Sequence, residues 1–142
     1  MRILAFIAVV LAAGMLLIKP VEVSAHGKEP RAGTIDEQMK TLHTMMPMFS
    51  VASAELESAL EKGDAAAAKS HADKMLAAVP DLKKCRPHKN VKQRKQFVEL
   101  ATNFEKAVTS TSELISKGDL SGPKASFKKV EAMCAACHAK FL

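Results

Sequence analysis

The fold is decided by residues 91–119, which read VKQRKQFVELATNFEKAVTSTSELISKGD. Apolar side chains recur here every three or four positions, a spacing that places them on one face of an α-helix running from about Val91 to Lys117. The predicted inner face consists of Phe97, Leu100, Phe104, Val108, Thr111 and Ile115. The Lys-Gly-Asp sequence at residues 117–119 ends this helix, because Gly suits the left-handed position after a helix and Asp suits the N-cap of the next one.

The same Lys-Gly-Asp turn occurs earlier, at residues 62–64, and again separates two helical segments. Thr34 and Glu37 form a predicted capping box, so the first helix is expected to begin directly after Thr34. Its predicted inner stripe is Ile35, Met39, Leu42, Met46, Phe49, Ser53, Leu56 and Leu60. The second helix is predicted over about residues 65–79, and Pro80 is expected to close it. The residues expected to face inward on it are Ala68, Ala72, Met75 and Val79.

A fourth helix is predicted to begin near Pro123, since proline is favourable in the first turn of a helix. Its predicted inner face is Phe127, Val130, Cys134, Cys137 and Phe141. Two helix–turn–helix units of similar pattern predict an all-α protein folded as an antiparallel up-down-up-down four-helix bundle. The composition agrees, because Ala, Lys and Leu are the most frequent residues and aromatic residues make up only 4%. Such a mixture favours helices and argues against a β-sandwich or barrel.

The N-terminus has the pattern of an export signal. An apolar run covers residues 3–18 and is followed by small residues at 23–25, the positions that a signal peptidase reads. We therefore predict a cleaved signal peptide at 1–25, a flexible lead at 26–33 and a helical domain at 34–142. The alternative, an uncleaved membrane anchor, is disfavoured because the run is shorter than the roughly 20 residues that a spanning helix needs. The expected location is the periplasm, with no membrane anchor after cleavage.

The charge of the chain points to protein partners rather than to nucleic acid. The net charge is +6 at pH 7, and the Lys residues are spread along the predicted helices. The chain has no Tyr or Trp on which bases could stack, so nucleic-acid binding is not expected. A modest positive charge is better suited to steering an acidic partner protein.

The chemistry of the chain is concentrated in Cys134-Ala135-Ala136-Cys137-His138. In an exported protein, Cys-x-x-Cys-His is the signature of covalent attachment of one c-type haem. Two thiols one helical turn apart can reach the two vinyl groups of a porphyrin and form thioether bonds with them. The adjacent His138 can then place its imidazole on the iron as the proximal ligand.

Three other interpretations of this motif are weaker. A redox disulfide of the thioredoxin type normally accompanies a βαβ pattern, which is absent here. A structural zinc site would need a second Cys/His cluster of suitable spacing, and the sequence has none. An accidental match would leave the agreement between the motif, the export signal and the helical context unexplained.

The segment FKKVEAMCAACHAKF, residues 127–141, resembles the last helix of the class II c-type cytochromes, the cytochrome c prime family. The haem motif of that family lies near the C-terminus of the fourth helix, as it does here. The family often has a basic residue after the aromatic that follows the motif, whereas Leu142 stands at that position in this chain. The resemblance implies that residues of the first helix line the distal face of the haem. Some members place a Met on the iron and carry electrons, while others leave the iron five-coordinate and bind small gases.

The distal ligand is predicted from the first helix. Aligning its start with that of the family brings Met46 near the distal position, and a thioether is a known ligand of haem iron. Met46 could alternatively be a flexible core residue. His43 is the other candidate, because a small rotation of the helix would aim its imidazole at the iron. Met39 is a weaker candidate on the same stripe, and Met45 and Met48 are predicted to point off the stripe.

The loop between the second and third helices contains Cys85-Arg86-Pro87-His88-Lys89-Asn90. In an up-down bundle it lies at the haem end, so Arg86, His88 and Lys89 are candidate contacts of the haem propionates. A solvated polar turn is the alternative. Cys85 is the odd cysteine, which in an exported protein indicates either a buried free thiol or a bridge to a partner.

The sequence thus predicts a small periplasmic cytochrome that carries single electrons and docks on an acidic redox partner. The first alternative is a five-coordinate haem protein of the same family that binds nitric oxide or carbon monoxide. A further alternative is a haem-free helical metal-binding protein. Enzymatic activity is not expected, because no constellation of acid, base and nucleophile stands out. The resemblance also implies that the chain could form a homodimer through its first two helices.

Overall fold

The computed structural model describes residues 35–118 and 121–142, and these segments contain helices and no strand. The helices are α1 (Ile35–Lys62), α2 (Ala65–Lys84), α3 (Arg94–Ser116) and α4 (Ser121–Phe141), with a short 3₁₀ helix at Val91–Gln93. The protein is therefore all-α, as a helical bundle requires. The predicted signal peptide, the lead and the Thr34 cap lie outside the described residues. None of the helices described is long and apolar enough to cross a membrane.

The first Lys-Gly-Asp turn has the geometry that its sequence predicts. Gly63 has a φ of 74°, in the left-handed region where an L side chain would be strained. The carboxylate of Asp64 accepts a hydrogen bond of 2.9 Å from the backbone N–H of Ala67 and so caps the first turn of α2. Gly118 has a φ of 75° at the end of α3, while Asp119 lies outside the described residues. The two glycines thus end their helices in the same way.

The helices pack in chain order. Extensive contacts join α1 to α2, α2 to α3 and α3 to α4, whereas α1 and α4 touch over a smaller area. The predicted inner face of α2 is confirmed, since Ala68, Ala72, Met75 and Val79 are fully buried. On α3 and α4 the predicted faces also point inward, although Leu100, Cys134 and Cys137 are only half-buried. These three half-buried positions line the cavity described below.

Two helix boundaries differ from the prediction. Pro80 does not end α2, which continues to Lys84. Val79 and Leu82 are both buried at helical spacing, so packing sustains the last turn although Pro80 lacks an N–H. The third helix starts at Arg94 rather than at Val91, where a 3₁₀ turn precedes it. Asn90 stands before that turn in the left-handed conformation, which interrupts regular helix.

The inner face of α1 is rotated from the predicted stripe. Met45, predicted to point outward, is buried in the core with 8% of its surface exposed, whereas Met46 is only half-buried. The other buried residues of α1 are Leu42, Phe49, Ala52, Leu56, Ala59 and Leu60. Alternating steps of three and four fit either methionine, so the sequence did not separate them. Met45 is therefore part of the core, and Met46 faces a cavity.

Candidate functional site

A cavity of about 380 Å³ lies between α1, α3, α4 and the segment that joins α2 to α3. Its walls are mainly apolar and include four aromatic rings: Phe49, Phe97, Phe104 and Phe141. Phe49 and Phe104 pack edge to face at a centroid distance of 5.3 Å, and Phe97 and Phe141 do so at 5.4 Å. Edge-to-face pairs hold rings in fixed orientations. The cavity therefore has rigid walls suited to a flat, largely apolar ligand.

The α4 wall of the cavity carries the Cys-x-x-Cys-His motif. Cys134, Cys137 and His138 all line the cavity. Both thiols are free and half-buried. Burial raises the pKa of each thiol, and for Cys137 the neighbouring Cys134 raises it further. The two sulfurs therefore remain neutral thiols at neutral pH, one helical turn apart on the same wall.

The α1 wall carries Met46, the predicted distal residue. Its half-buried side chain lines the cavity together with Leu42 and Phe49. The polar groups on the same helix are Ser50, Ser53 and Glu57. Hydroxyls, carboxylates and apolar side chains are not common ligands of haem iron, whereas a thioether is. Met46 is therefore the side chain of this wall best suited to bind iron.

The loop between α2 and the 3₁₀ helix is fastened to the end of α4. The backbone N–H of Lys89 donates to the carbonyl of Phe141 at 3.1 Å, and the side-chain amide of Asn90 donates to the carbonyl of Lys140 at 2.7 Å. Arg94 donates to the carbonyls of Lys83 and Cys85 at the end of α2. These bonds hold the loop beside the haem motif, where we expected it.

The loop contributes unequally to the site. Pro87 and His88 line the cavity, while among the described residues the lining does not include Arg86 or Lys89. Arg86 is half-buried and Lys89 is exposed, so both flank the cavity rather than form its wall. Cys85 is a free thiol with only 1% of its surface exposed. Of the two interpretations of this cysteine, the buried thiol agrees with the structure.

His43, the alternative distal candidate, is exposed and is absent from the lining of the cavity in the described residues. Its imidazole stacks on that of His88, with ring centroids 5.0 Å apart and planes inclined by 23°. The two candidate histidines therefore contact each other, and both are exposed at the surface.

Several cavity residues were not predicted as site residues. Ser50 lies one helical turn before the neighbouring Ser53 and Ala54 on α1, all three side chains are small, and Glu57 follows about one turn later. A serine on an otherwise apolar stripe, as at Ser53, is a signal that space is needed there. Leu82 and Met133 also line the cavity but carry no signal that separates them from core residues.

A haem fits the residues that the cavity provides. Its volume lies within the range of about 300–1,000 Å³ that is usual for sites of small molecules and cofactors. The walls are apolar and aromatic, as a porphyrin ring requires. Two free thiols and one imidazole stand on one wall, and these are the groups that c-type haem uses for attachment and for iron binding. Among the described residues, no group of three or more His, Cys, Asp or Glu side chains converges to hold a metal ion.

A helical fold with two thiols and an imidazole on one wall of an apolar cavity defines a c-type haem protein. In a comparison with models of protein families, residues 84–142 match the family described as Cytochrome C', over the loop, α3 and α4. Over these residues the chain is similar to the cytochrome c prime family, the class II c-type cytochromes, whose members bind covalently attached haem c. No curated protein matches the chain. The resemblance found in residues 127–141 is thereby confirmed, and the haem-free alternative is set aside.

Proposed function

We propose that the protein is a single-electron carrier of the periplasm. When bound, haem c supplies reversible one-electron exchange between Fe(III) and Fe(II). The observation that supports this function best is that Met46 on α1 and His138 on α4 line the same cavity. An imidazole and a thioether available to the two faces of one iron favour six-coordinate, low-spin iron, which exchanges electrons without binding a substrate.

In this proposal the motif residues hold the cofactor. The Cys134 and Cys137 thiols would each add their S–H across one vinyl double bond, so that each sulfur gains a carbon and no group leaves. His138 would donate an imidazole nitrogen to the iron. His88 on the cavity wall, with Arg86 and Lys89 beside it, would face the acidic propionates. The aromatic walls would shield the porphyrin ring from water, and enzymatic turnover is not part of this proposal.

We also propose an antiparallel arrangement of the four helices and a periplasmic location. The two residues between α1 and α2 allow only a tight reversal, and the helices pack in chain order. Both features support an antiparallel up-down-up-down bundle. Members of the family are usually periplasmic, and the export pattern of residues 1–25 supports the same location. A homodimer through α1 and α2 stays a prediction from the family resemblance.

A gas-binding protein is the second candidate function. Leu42 and Phe49 share the α1 wall with Met46 and cannot bind iron. If the flexible side chain of Met46 turned away, these two residues would leave an apolar, ligand-free face suited to nitric oxide or carbon monoxide. The two functions thus differ in whether the Met46 sulfur binds the iron.

The decisive experiment is optical and electron-paramagnetic spectroscopy of the purified holoprotein, with and without carbon monoxide. An electron carrier with His138 and Met46 on the iron is expected to give a low-spin ferric signal and a ferrous spectrum unchanged by carbon monoxide. A high-spin ferric signal, together with a ferrous spectrum that shifts on adding carbon monoxide, would instead establish the gas-binding alternative.

The proposed partner is an acidic redox protein that docks beside the loop. Residues 83–95 contain seven Lys or Arg residues and no Asp or Glu. Lys83 is paired with Glu105, and Arg94 is bound to carbonyls, but Lys89, Lys92 and Lys95 are exposed. This segment adjoins the end of α4 through the Lys89 and Asn90 hydrogen bonds. A positive potential at this surface would speed encounter with a negatively charged partner.

We expect this potential to be measurable with a small anionic oxidant. The double variant Lys89→Glu/Lys92→Glu should slow oxidation of the ferrous holoprotein by ferricyanide by about tenfold at low ionic strength, and salt should remove the difference. Lys89 binds α4 through its backbone N–H, so the loop keeps this contact. Lys62→Glu/Lys117→Glu, at the exposed ends of α1 and α3, is the control with the same change of charge. Equal rates in both variants would contradict docking at the loop.

A further inference from the structure

Glu57 is an acidic side chain on the wall of a cavity that is otherwise mainly apolar. It is half-buried, and among the described residues it is the only Asp or Glu in the lining. It makes no ion pair or side-chain hydrogen bond within this part of the chain, whereas Glu105 pairs with Lys83 and Glu131 with Lys128. Glu57 therefore brings to the cavity a negative charge to which no cation is bound.

Glu57 lies on the same face of α1 as Met46. It follows Met46 by eleven residues, which is three helical turns and about 16 Å along the axis. Ser50 and Ser53 stand between them, so the four positions follow one another in steps of four, three and four. All four side chains line the cavity. The α1 wall thus has a thioether toward one end and a carboxyl group toward the other.

The other elements around the cavity bring few groups that titrate. The lining residues of α2 and α3 are all apolar: Leu82, Phe97, Leu100, Ala101 and Phe104. The titratable side chains from α4 are Cys134, Cys137 and His138, and the loop adds His88. With haem attached, the two sulfurs are thioethers and His138 is on the iron. Glu57 and His88 are then the side chains of the described lining that stay free to exchange protons.

We infer that Glu57 is a proton-binding site whose proton affinity depends on the charge of the haem iron. Reduction takes one electron from the redox partner and removes one positive charge from the iron. The Glu57 carboxylate then binds a proton from water more tightly and becomes a neutral carboxylic acid. The inference rests on the one-electron exchange of the proposed function. It does not depend on the distal ligand, because iron bound to His138 changes its charge with or without Met46.

The coupling between the two sites is Coulombic and reciprocal. Two unit charges about 16 Å apart, at an effective dielectric constant of about 20, change a proton affinity about fivefold. By linkage the same factor applies to reduction, and about fivefold is about 40 mV at 59 mV per tenfold change for one electron. Ionised Glu57 stabilises the more positive Fe(III). The reduction potential therefore falls as the pH rises through the range in which carboxyl groups titrate, about pH 4–6.

Potentiometric titration of the holoprotein at a series of pH values tests the inference. Between about pH 4 and pH 6 the potential of the unchanged protein should fall by about 40 mV more than that of Glu57→Gln, which removes the charge with little change of shape. Glu57→Asp keeps a carboxylate and should retain the larger fall. Glu55→Gln is the matched control, because Glu55 is exposed on the same helix and, in the described residues, outside the lining. It should behave as the unchanged protein does.

Infrared difference spectra between ferrous and ferric protein identify the group directly. Near about pH 5 the unchanged protein and Glu55→Gln should gain a protonated-carboxyl band on reduction that Glu57→Gln lacks. The haem propionates and His88 titrate in every variant, so their contribution cancels in the comparison. Optical spectra with and without carbon monoxide verify the coordination of each variant and decide separately between electron carrier and gas binder. Equal falls in potential in the unchanged protein and Glu57→Gln, or an equally reduced fall in Glu55→Gln, would overturn the inference.

Discussion

Replacing Cys134 and Cys137 together by Ser is expected to abolish covalent attachment of the haem. Both thiols are free, half-buried and on the wall of the cavity, and a hydroxyl does not form a stable thioether-like bond to the porphyrin. The secreted variant should have the mass of the bare chain, or release its haem completely into acidified organic solvent. The unchanged chain should retain the mass of one haem after the same treatment.

The third cysteine gives the matched control for this result. Cys85 is buried and, in the described residues, outside the lining of the cavity, so Cys85→Ala should keep the covalent adduct. The single variants Cys134→Ser and Cys137→Ser should each keep one thioether at most. A covalent adduct that persists in the double variant would remove both residues from the attachment site, and its loss in Cys85→Ala would move the site to the loop.

Replacing Met46 by Ala is expected to change the spin state of the iron. Met46 is the thioether on the α1 wall. The Ala variant leaves apolar groups there, which do not bind iron, and the oxygens of Ser50, Ser53 and Glu57, which are not common haem ligands. The ferric protein should become high-spin, and the ferrous protein should bind carbon monoxide. Electron-paramagnetic and optical spectra measure both changes.

The neighbouring methionine separates ligation from packing. Met45 is buried in the core, so Met45→Ala should lower the free energy of unfolding by about 2–5 kcal/mol while the spectrum stays low-spin. Met45→Leu, which nearly conserves volume, serves if the Ala variant fails to fold. A low-spin spectrum that survives in Met46→Ala would reject Met46 as the ligand, and His43→Ala would then test the remaining candidate.

The helices themselves were predictable because local pattern and packing agree along most of the chain. Fully buried residues such as Met75 and Val108 lie on the stripes read from spacing alone. The left-handed Gly63 and Gly118 end their helices as predicted. Pro80 was misread because its local preference for ending a helix is outweighed by the burial of Leu82 in the next turn.

The site was only partly predictable, for a physical reason. The motif at residues 134–138 is recognised from its residue types and their spacing, and this recognition requires no tertiary information. The placement of His88 depends on hydrogen bonds between Lys89 and Phe141 and between Asn90 and Lys140, which join parts of the chain about fifty residues apart. The choice between Met45 and Met46 depends on the rotation of α1, which neighbouring helices impose. The spacing of residues within one segment predicts neither the hydrogen bonds of the loop nor the rotation of α1.

The burial of Cys85 has a consequence for maturation in an oxidising compartment. An unfolded chain would offer three thiols to oxidants. A disulfide between Cys85 and Cys134 or Cys137 would then consume one of the two thiols that haem attachment needs. In the folded chain Cys85 is enclosed, and burial raises the pKa of its thiol, so the reactive thiolate is scarce. If the helices fold before oxidation, Cys85 is buried and cannot form a disulfide. Cys134 and Cys137 then remain as the accessible pair of thiols for haem attachment.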